Sequence, residues 1–401
     1  MPVNITYMGT KKDLAPLVAQ VIRQCQQGIL LDAFAGMCSV AEQVGVARQI
    51  WTNDIQVFAS EVGAALFASR DEPLGPLTTA DIHFDAFERH RSRLAKRYAA
   101  LVDAEDAVLE CGSFSAFTRC RGRLSRLVTA HQQFARCRDR ELFTTTYPDT
   151  YFGVRQAIEA DAIIAAIATN RRLARTTDDH KRWFTIALGR ALLKIANSTG
   201  HFAQFLSPKS YSYERFLRQR RRSLWTEWLF SVGELQPVGT ADWRKHNRSF
   251  NEDSLALLPT LATAKHRPAL IYADPPYTDD QYSRFYHIFE TLMLYDYPTV
   301  FGAGRYRSRR YQTPFSQKAQ AVPAFDRLAR SAATTGADFV LSYPSNGLIH
   351  QAGSDPKDIL RRHFRTVERC HSIPYSHSTF GASKGAAQSK VTELIYLART
   401  S

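Results

Sequence analysis

The string Asp274-Pro275-Pro276-Tyr277 follows the apolar run Leu270 to Ala273, and its residue types suit the handling of an amino group on a flat ring. Two prolines fix φ and remove two amide donors, so the turn is rigid and its carbonyl groups face outward from the strand end. A carboxylate and a carbonyl oxygen placed there can accept both hydrogens of an exocyclic amine, while the tyrosine ring stacks on the base. A plain loop or a polyproline recognition motif also uses Pro-Pro-Tyr, but the buried character of the preceding strand favours the amine.

A second chemical locus lies near the start of the chain. Asp32-Ala33-Phe34-Ala35-Gly36 follows an apolar run, and its small residues let backbone amides approach a ligand ahead of a helix. Asp54 comes 22 positions after Asp32 at the end of the next run, the interval at which an acid accepts hydrogen bonds from ribose hydroxyls. Capping of the following helix by Asp32 and a turn role for Asp54 are the competing uses. The pyrophosphate motif G-x-G-x-x-G is absent because Cys38 and Ser39 stand where further glycine is needed. A nucleoside without pyrophosphate, such as S-adenosylmethionine, therefore fits better than NAD.

These loci need strands to hold them. Residues 29–34 are an apolar run ending in Asp32 and then a small-residue turn, 49–54 repeat the apolar run ending in an acid, and 40–46 between them reads as a helix, giving a βαβ unit. That unit opens a doubly wound α/β sheet, whose ligands sit at the carboxyl ends of the strands. From 87 onward the chain is basic and helix-rich, with helical spacing over 156–169, 183–196 and 212–229. Strand patterns return at 269–273, 338–342 and 391–397, so the α/β core is split around an insertion. The predicted division is a core of 1–82 with 250–401 and an inserted domain of 83–249.

Charge follows the same division. Lys and Arg number 52 against 38 Asp and Glu, a formal +14, and within 83–249 the numbers are 29 and 17. Phosphate neutralisation dominates nucleic-acid affinity, so a basic inserted module on a near-neutral core points to DNA or RNA. Arg218, Arg220, Arg221 and Arg222 form one run and Arg119, Arg121, Arg123 and Arg126 another. Guanidinium forks suit phosphates and guanine edges, although a solvated helix face explains any single run equally well. The composition, 44% hydrophobic and 22% charged, excludes disorder and coiled coil. No run reaches the ~20 apolar residues of a membrane span, and the N-terminus lacks an apolar signal core, so the sequence predicts a cytoplasmic protein with no membrane partner. Six cysteines without a C-x-x-C pair are expected to be reduced, and no metal site is expected.

Taken in order, the motifs resemble those of the DNA adenine methylases in which the cofactor half precedes the catalytic half and a target-recognition region lies between. Tyr7-Met8-Gly9-Thr10-Lys11 is similar to the family's Y-x-G-[GST]-K element, which lines the methionine end of the cofactor. Asp32 to Ser39 resembles its D-x-F-x-G-x-G loop, with Cys38 in place of the second glycine. Asn251-Glu252-Asp253-Ser254 resembles the segment whose acid meets the cofactor's adenine, with helix capping the competing use of Asp253. Asp274 to Tyr277 looks like the catalytic tetrapeptide. Ala196 to Phe202 and Tyr282 to His287 resemble two further stretches, and Lys390 to Tyr396 resembles the last strand of the sheet.

The resemblance implies a Rossmann-like methyltransferase sheet, mostly parallel with an antiparallel C-terminal strand, carrying a helix-rich target-recognition domain. It also implies site-specific transfer of a methyl group from S-adenosylmethionine to adenine in double-stranded DNA, by base flipping and direct in-line transfer. Asp274, Pro275, Pro276 and Tyr277 would be catalytic. Tyr7, Lys11, Asp32, Phe34, Ala35, Gly36, Asp54, Asp253 and Ser254 would hold the cofactor. Arg218, Arg220, Arg221, Arg222, Tyr282 and Tyr286 would meet nucleic acid, while His287 reads as packing. The chain is expected to act as a monomer or weak dimer, with any cognate restriction endonuclease acting separately. Cytosine-amine methylation, RNA methylation and a catalytically silent nucleic-acid binder stay open as alternatives.

Overall fold

The computed structural model describes residues 11–132, 139–376 and 390–400. The chain divides into two compact units, one of residues 11–70, Gln236–Ser283 and 310 onward, the other of Asp71–Leu235 and Arg284–Arg309. Seven strands of the first unit make one sheet: β1 (Leu30–Asp32), β2 (Ile50–Asn53), β3 (Arg248–Phe250), β4 (Leu270–Ala273), β7 (Asp338–Pro344), β8 (Thr366–Ser376) and β9 (Lys390–Arg399). The hairpin β5 (Val300–Phe301) and β6 (Tyr306–Arg307) belongs to the second unit.

The sheet order is β3-β2-β1-β4-β7-β9-β8. Pairings β3–β2, β2–β1, β1–β4 and β4–β7 are parallel, and β9 runs antiparallel to both β7 and β8. The expected mostly parallel sheet with an antiparallel last strand is thus borne out. Strands β1, β2, β4 and β7 are buried along their whole length, as continuous apolar strands covered on both faces must be. Alternation distributes their side chains. Leu31, Ile271, Phe339 and Leu341 pack with the helices Ser254–Ala262 and Ala321–Thr334 on one face. Leu30, Leu270, Tyr272 and Val340 pack with Ala15–Arg23 on the other.

The second unit is helical. Its core joins Leu94, Tyr98, Leu101, Phe117, Leu124, Ile158, Phe216 and Leu217 from five helices. The helices expected over 156–169 and 183–196 are Val154–Arg172 and Asp178–Ile195, the latter started by Thr177, whose hydroxyl accepts from His180 N. The single helix expected over 212–229 is two, Tyr213–Arg220 and Leu224–Gly233, because Ser223 leaves the helical conformation and caps the second. Boundaries drawn from charge also differ from the structural ones. Position 83 falls inside the helix Pro76–Arg97 and position 249 inside β3, while the excursion 284–309 was not expected. Charge tracks exposed surface and carries no record of where a helix or strand begins.

Arg220 requires correction as a nucleic-acid contact. It is 5% exposed and lies at the end of the helix Tyr213–Arg220. Its guanidinium donates to Tyr151 O at 2.7 Å and Thr150 O at 2.9 Å. Burial lowers its pKa to about 10, with Glu105 and Asp149 opposing that shift. Among the described residues no helix is long and apolar enough to cross a membrane. Arg220→Met, which removes donors from Thr150 O and Tyr151 O and the buried cation beside Glu105, is expected to destabilise the second unit by about 3 kcal/mol. A lower denaturation midpoint checks this; an unchanged midpoint would show that the buried guanidinium is dispensable.

Candidate active site

Register brings the acids together. Asp32 ends β1 opposite Thr52 of β2 and Tyr272 of β4, so Asp54 and Asp274, each two residues beyond those partners, emerge at the same edge of the sheet. All three strands are parallel, which places their carboxyl ends and the loops that follow side by side.

The loop after β1 keeps a glycine-type backbone although Cys38 replaces glycine. Gly36 has φ +48°, and Cys38 takes φ 61°, ψ 26° as the residue before the helix Ser39–Val44. Cys38 is fully buried, and its N–H donates to Ala35 O at 2.6 Å. The left-handed conformation costs a non-glycine residue roughly 1 kcal/mol, and burial of the small side chain offsets it. A cavity of about 330 Å³ opens here, lined by Lys11, Asp32, Phe34, Ala35, Gly36, Met37 and Asp274 among others. Asp32 is 2% exposed, and its Oδ1 has no hydrogen-bond partner among the described residues. Burial foremost, then the neighbouring Asp274, pushes its pKa up to about 8. An unsatisfied buried acid in a cavity is a receptor for a cationic, hydrogen-bond-donating group, which the amino group of S-adenosylmethionine fits.

Asp274 is held from behind. Lys11 Nζ is 3.2 Å from its Oδ1 and 2.6 Å from Oε1 of Glu393, a fully buried acid on β9. The same ammonium lies 5.1 Å from the ring centroid of Tyr277. Burial alone would lower the Lys11 pKa, but Asp274 and Glu393 outweigh it and hold the lysine well above its ordinary value. Burial raises Asp274 to about 7; Lys11 pulls down and Glu393 pushes up. Tyr277 is 7% exposed and meets Tyr343 edge-on at 6.3 Å.

A larger cleft of about 750 Å³ adjoins the first cavity, since Phe34, Gly36 and Asp274 line both. Asp54, Asp253, Ser254, Pro276, Tyr277, Gln281 and Tyr282 line it as well. Asp54 Oδ2 accepts from Gly36 N at 3.0 Å and Oδ1 from Gln56 N at 2.9 Å, so this acid also braces the glycine loop. Asp253 caps the helix Ser254–Ala262 through Leu255 N, one of the two uses foreseen for it, and accepts from Tyr311 OH at 2.8 Å. Ser254 Oγ donates to Ala33 O at 2.6 Å, which ties this helix to the loop after β1. Tyr311, Thr313 and Phe315 form a further wall that sequence reasoning missed. Their segment has no strand or helix period, and Gln281 fixes it by accepting from Thr313 N. Glu393 was missed too, although an acid inside the apolar run 391–397 is a signal that it must be paired.

Tyr7 lies outside the described residues. Of the residues expected to meet nucleic acid, Tyr282 lines the cleft and Arg218 is exposed. Tyr286 is 1% exposed in the second unit, so its assignment is corrected to core packing. Arg222 is paired with Glu227, and Arg221 donates to Leu109 O. His287 is buried among Tyr147, Tyr151 and Tyr306, in keeping with its reading as packing. The two stretches 196–202 and 284–287 meet through Phe202 N–H to Phe285 O at 2.9 Å.

The raised Asp32 pKa has a stability consequence. Between its ordinary 3.8 and about 8 the folded chain retains a proton that the unfolded chain has lost, so stability falls as pH rises through that window. Asp32→Asn is expected to show a shallower loss of thermal midpoint between pH 6 and pH 9 than the unsubstituted protein, on a scale of roughly several degrees. Parallel midpoint curves would mean that Asp32 is already ionised.

The profile of the D12 class N6 adenine-specific DNA methyltransferases matches residues 249–339, from β3 into β7. The chain is similar to Modification methylase LlaI of Lactococcus lactis subsp. lactis, 22% identical over 86% of this chain and 46% of that protein. It is also similar to Modification methylase StsI of Streptococcus sanguinis, 22% identical over 86% of this chain and 44% of that protein. Type II methyltransferase M.FokI of Planomicrobium okeanokoites is 28% identical over 43% of this chain and 25% of its own length. The chain therefore spans less than half the length of these relatives, and no solved structure matches it. The matched profile includes the Asp274 turn, and with the relatives it bears out the resemblance carried by the motif order: over residues 249–339 the chain is similar to the D12 class of adenine-specific DNA methyltransferases.

Proposed function

We propose that the protein is a site-specific adenine DNA methyltransferase that uses S-adenosylmethionine and serves as the modification partner of a separate restriction endonuclease. The observation that carries this reading is the place of Asp274, at the wall shared by the two adjoining cavities. Asp32, Phe34, Ala35, Gly36 and Lys11 would hold the amino-acid end of the cofactor, and Asp54, Asp253 and Ser254 its nucleoside. Bound there, S-adenosylmethionine supplies an electrophilic methyl group on a sulfonium that leaves as a thioether.

The chain's own residues handle the amine. The lone pair of adenine's exocyclic nitrogen is delocalised into the ring, so the site must favour a pyramidal nitrogen. Asp274 and the Pro275 carbonyl accept its two hydrogens, and Tyr277 stacks on the base from the side away from Lys11. The nitrogen is then aligned for direct in-line attack, and Asp274 takes up the proton that it sheds. Positioning and fixed electrostatics provide most of the acceleration, with no covalent enzyme intermediate. The target atom is inaccessible in a stacked duplex, so the adenine is flipped out at a cost of a few kcal/mol.

Basic groups of the second unit offset that cost by neutralising phosphates. On the helix Phe114–Gln132, Arg119, Arg123 and Arg126 are exposed and spaced i, i+4, i+7, which puts them on one face. This stripe, with Arg218, replaces the buried Arg220 as the proposed DNA contact.

Incubation with tritiated S-adenosylmethionine and unmethylated DNA, followed by nucleoside chromatography, should place the label in N6-methyladenine. Label in cytosine, label in RNA alone, or no label would contradict the proposal. Asp274→Ala is expected to cut transfer by at least about a hundredfold while cofactor affinity, read by calorimetry, changes by no more than about threefold. Loss of cofactor binding would mean that this residue serves the cofactor instead. Replacing Arg119, Arg123 and Arg126 by Ala should lower the slope of log affinity against log salt by up to about 2.7, from 0.9 per phosphate contact. An unchanged slope would return the stripe to solvent.

A further inference from the structure

Glu393 lies on β9, the strand antiparallel to its neighbours, and the amine-handling steps above give it no task. We propose that Glu393 is a positioning residue that acts through Lys11 to keep the Asp274 carboxylate basic and turned toward its substrate. The proposal rests on the reading of Asp274 as the acceptor of the substrate amine.

The geometry favours one distribution of the lysine's hydrogen bonds. A lysine ammonium is a compact charge on a flexible stem, and beside a single buried carboxylate it would close on that group and neutralise it. Here it is drawn the other way. Its contact to Glu393 is 2.6 Å and its contact to Asp274 is 3.2 Å, and Glu393 is fully buried while the Asp274 side chain is 15% exposed. Lys11 therefore faces Oδ1 of Asp274 at ion-pair distance while its hydrogen bond goes to Glu393, which leaves that Oδ1 without a hydrogen-bond partner among the described residues. The charged and titratable groups facing Asp274 are Lys11 from the chain start, Asp32 after β1, Tyr272 on β4, Tyr277 in the turn and Glu393 on β9. Among them Lys11 favours the ionised carboxylate, while Glu393 disfavours it. Deleting the charge on Glu393 would leave Lys11 to pair with Asp274 alone, making that carboxylate a weaker base and a less available acceptor.

The test is the pH dependence of kcat/KM for adenine methylation in DNA, whose rising limb reports ionisation of Asp274 near pH 7. In Glu393→Gln the limb should move down by about one pH unit, and the plateau rate should fall by roughly tenfold. Cofactor affinity should stay within about threefold. In Lys11→Met the limb should move up instead, because the compensating cation is lost. Glu393→Asp, which keeps the charge, should retain the limb near its original position. A role confined to packing would lower rates without moving the limb, and an unmoved limb in Glu393→Gln would overturn the proposal. If Glu393→Gln does not fold, an unmoved limb in Lys11→Met overturns it equally. Failure of the unsubstituted protein to methylate adenine would instead sink the underlying function, and so is distinguishable.

Discussion

The ammonium of Lys11 is the charge on which the site depends. Asp274 and the fully buried Glu393 lie within 3.2 Å of it, and Asp32 sits in the same cavity wall. Burying carboxylates is costly unless a cation or a donor meets them. The parallel arrangement of β1, β2 and β4 forces Asp32, Asp54 and Asp274 to one edge, and β9 adds Glu393 there. Burial foremost, and one lysine shared among several acids, raise the pKa of Asp32 to about 8 and of Asp274 to about 7. A carboxylate poised near pH 7 is what an amine acceptor requires.

The second unit uses charge differently. Buried Asp161 accepts from Phe143 N, Thr144 N and Tyr295 OH and so starts the short helix Leu142–Thr146 while binding in the 284–309 excursion. Arg220 closes on backbone carbonyls, and Glu105 accepts from Val154 N and Arg155 N at the start of the helix Val154–Arg172. These groups substitute for missing helix and loop partners. The charges left for a polyanion are those on exposed helix faces, which explains why a regional excess of Arg is informative and a run of adjacent arginines is not. Adjacent residues on a helix point in different directions, so Arg220 turns inward while Arg218 turns outward.

Much of the core was readable because its strands are short apolar runs closed by an acid or a rigid turn, a pattern that survives in a single sequence. The edges were not readable in the same way. β3 is three residues, Arg248 to Phe250, with partial exposure, and β8 carries Glu368, Arg369 and His371, as an edge strand must to avoid further pairing. Cys38 shows the opposite case: the motif departed from glycine, yet the loop kept the glycine conformation because a small buried side chain tolerates it there. Glu393 and the wall at Tyr311, Thr313 and Phe315 gain their meaning only from residues far away in the chain, with Lys11 separated from Glu393 by 382 positions. No local pattern can show such a pairing.

The central claim is that the Asp274 turn faces the methyl-bearing end of the cofactor across the wall between the two cavities. A crystal structure with sinefungin, whose amine stands in for the sulfonium methyl, tests this most directly. The account places that amine within roughly 4 Å of the Asp274 carboxylate or the Pro275 carbonyl, leaving a base-sized gap against Tyr277. An analogue bound with its amine turned away from the turn, or outside the cavity lined by Asp32 and Gly36, would contradict it.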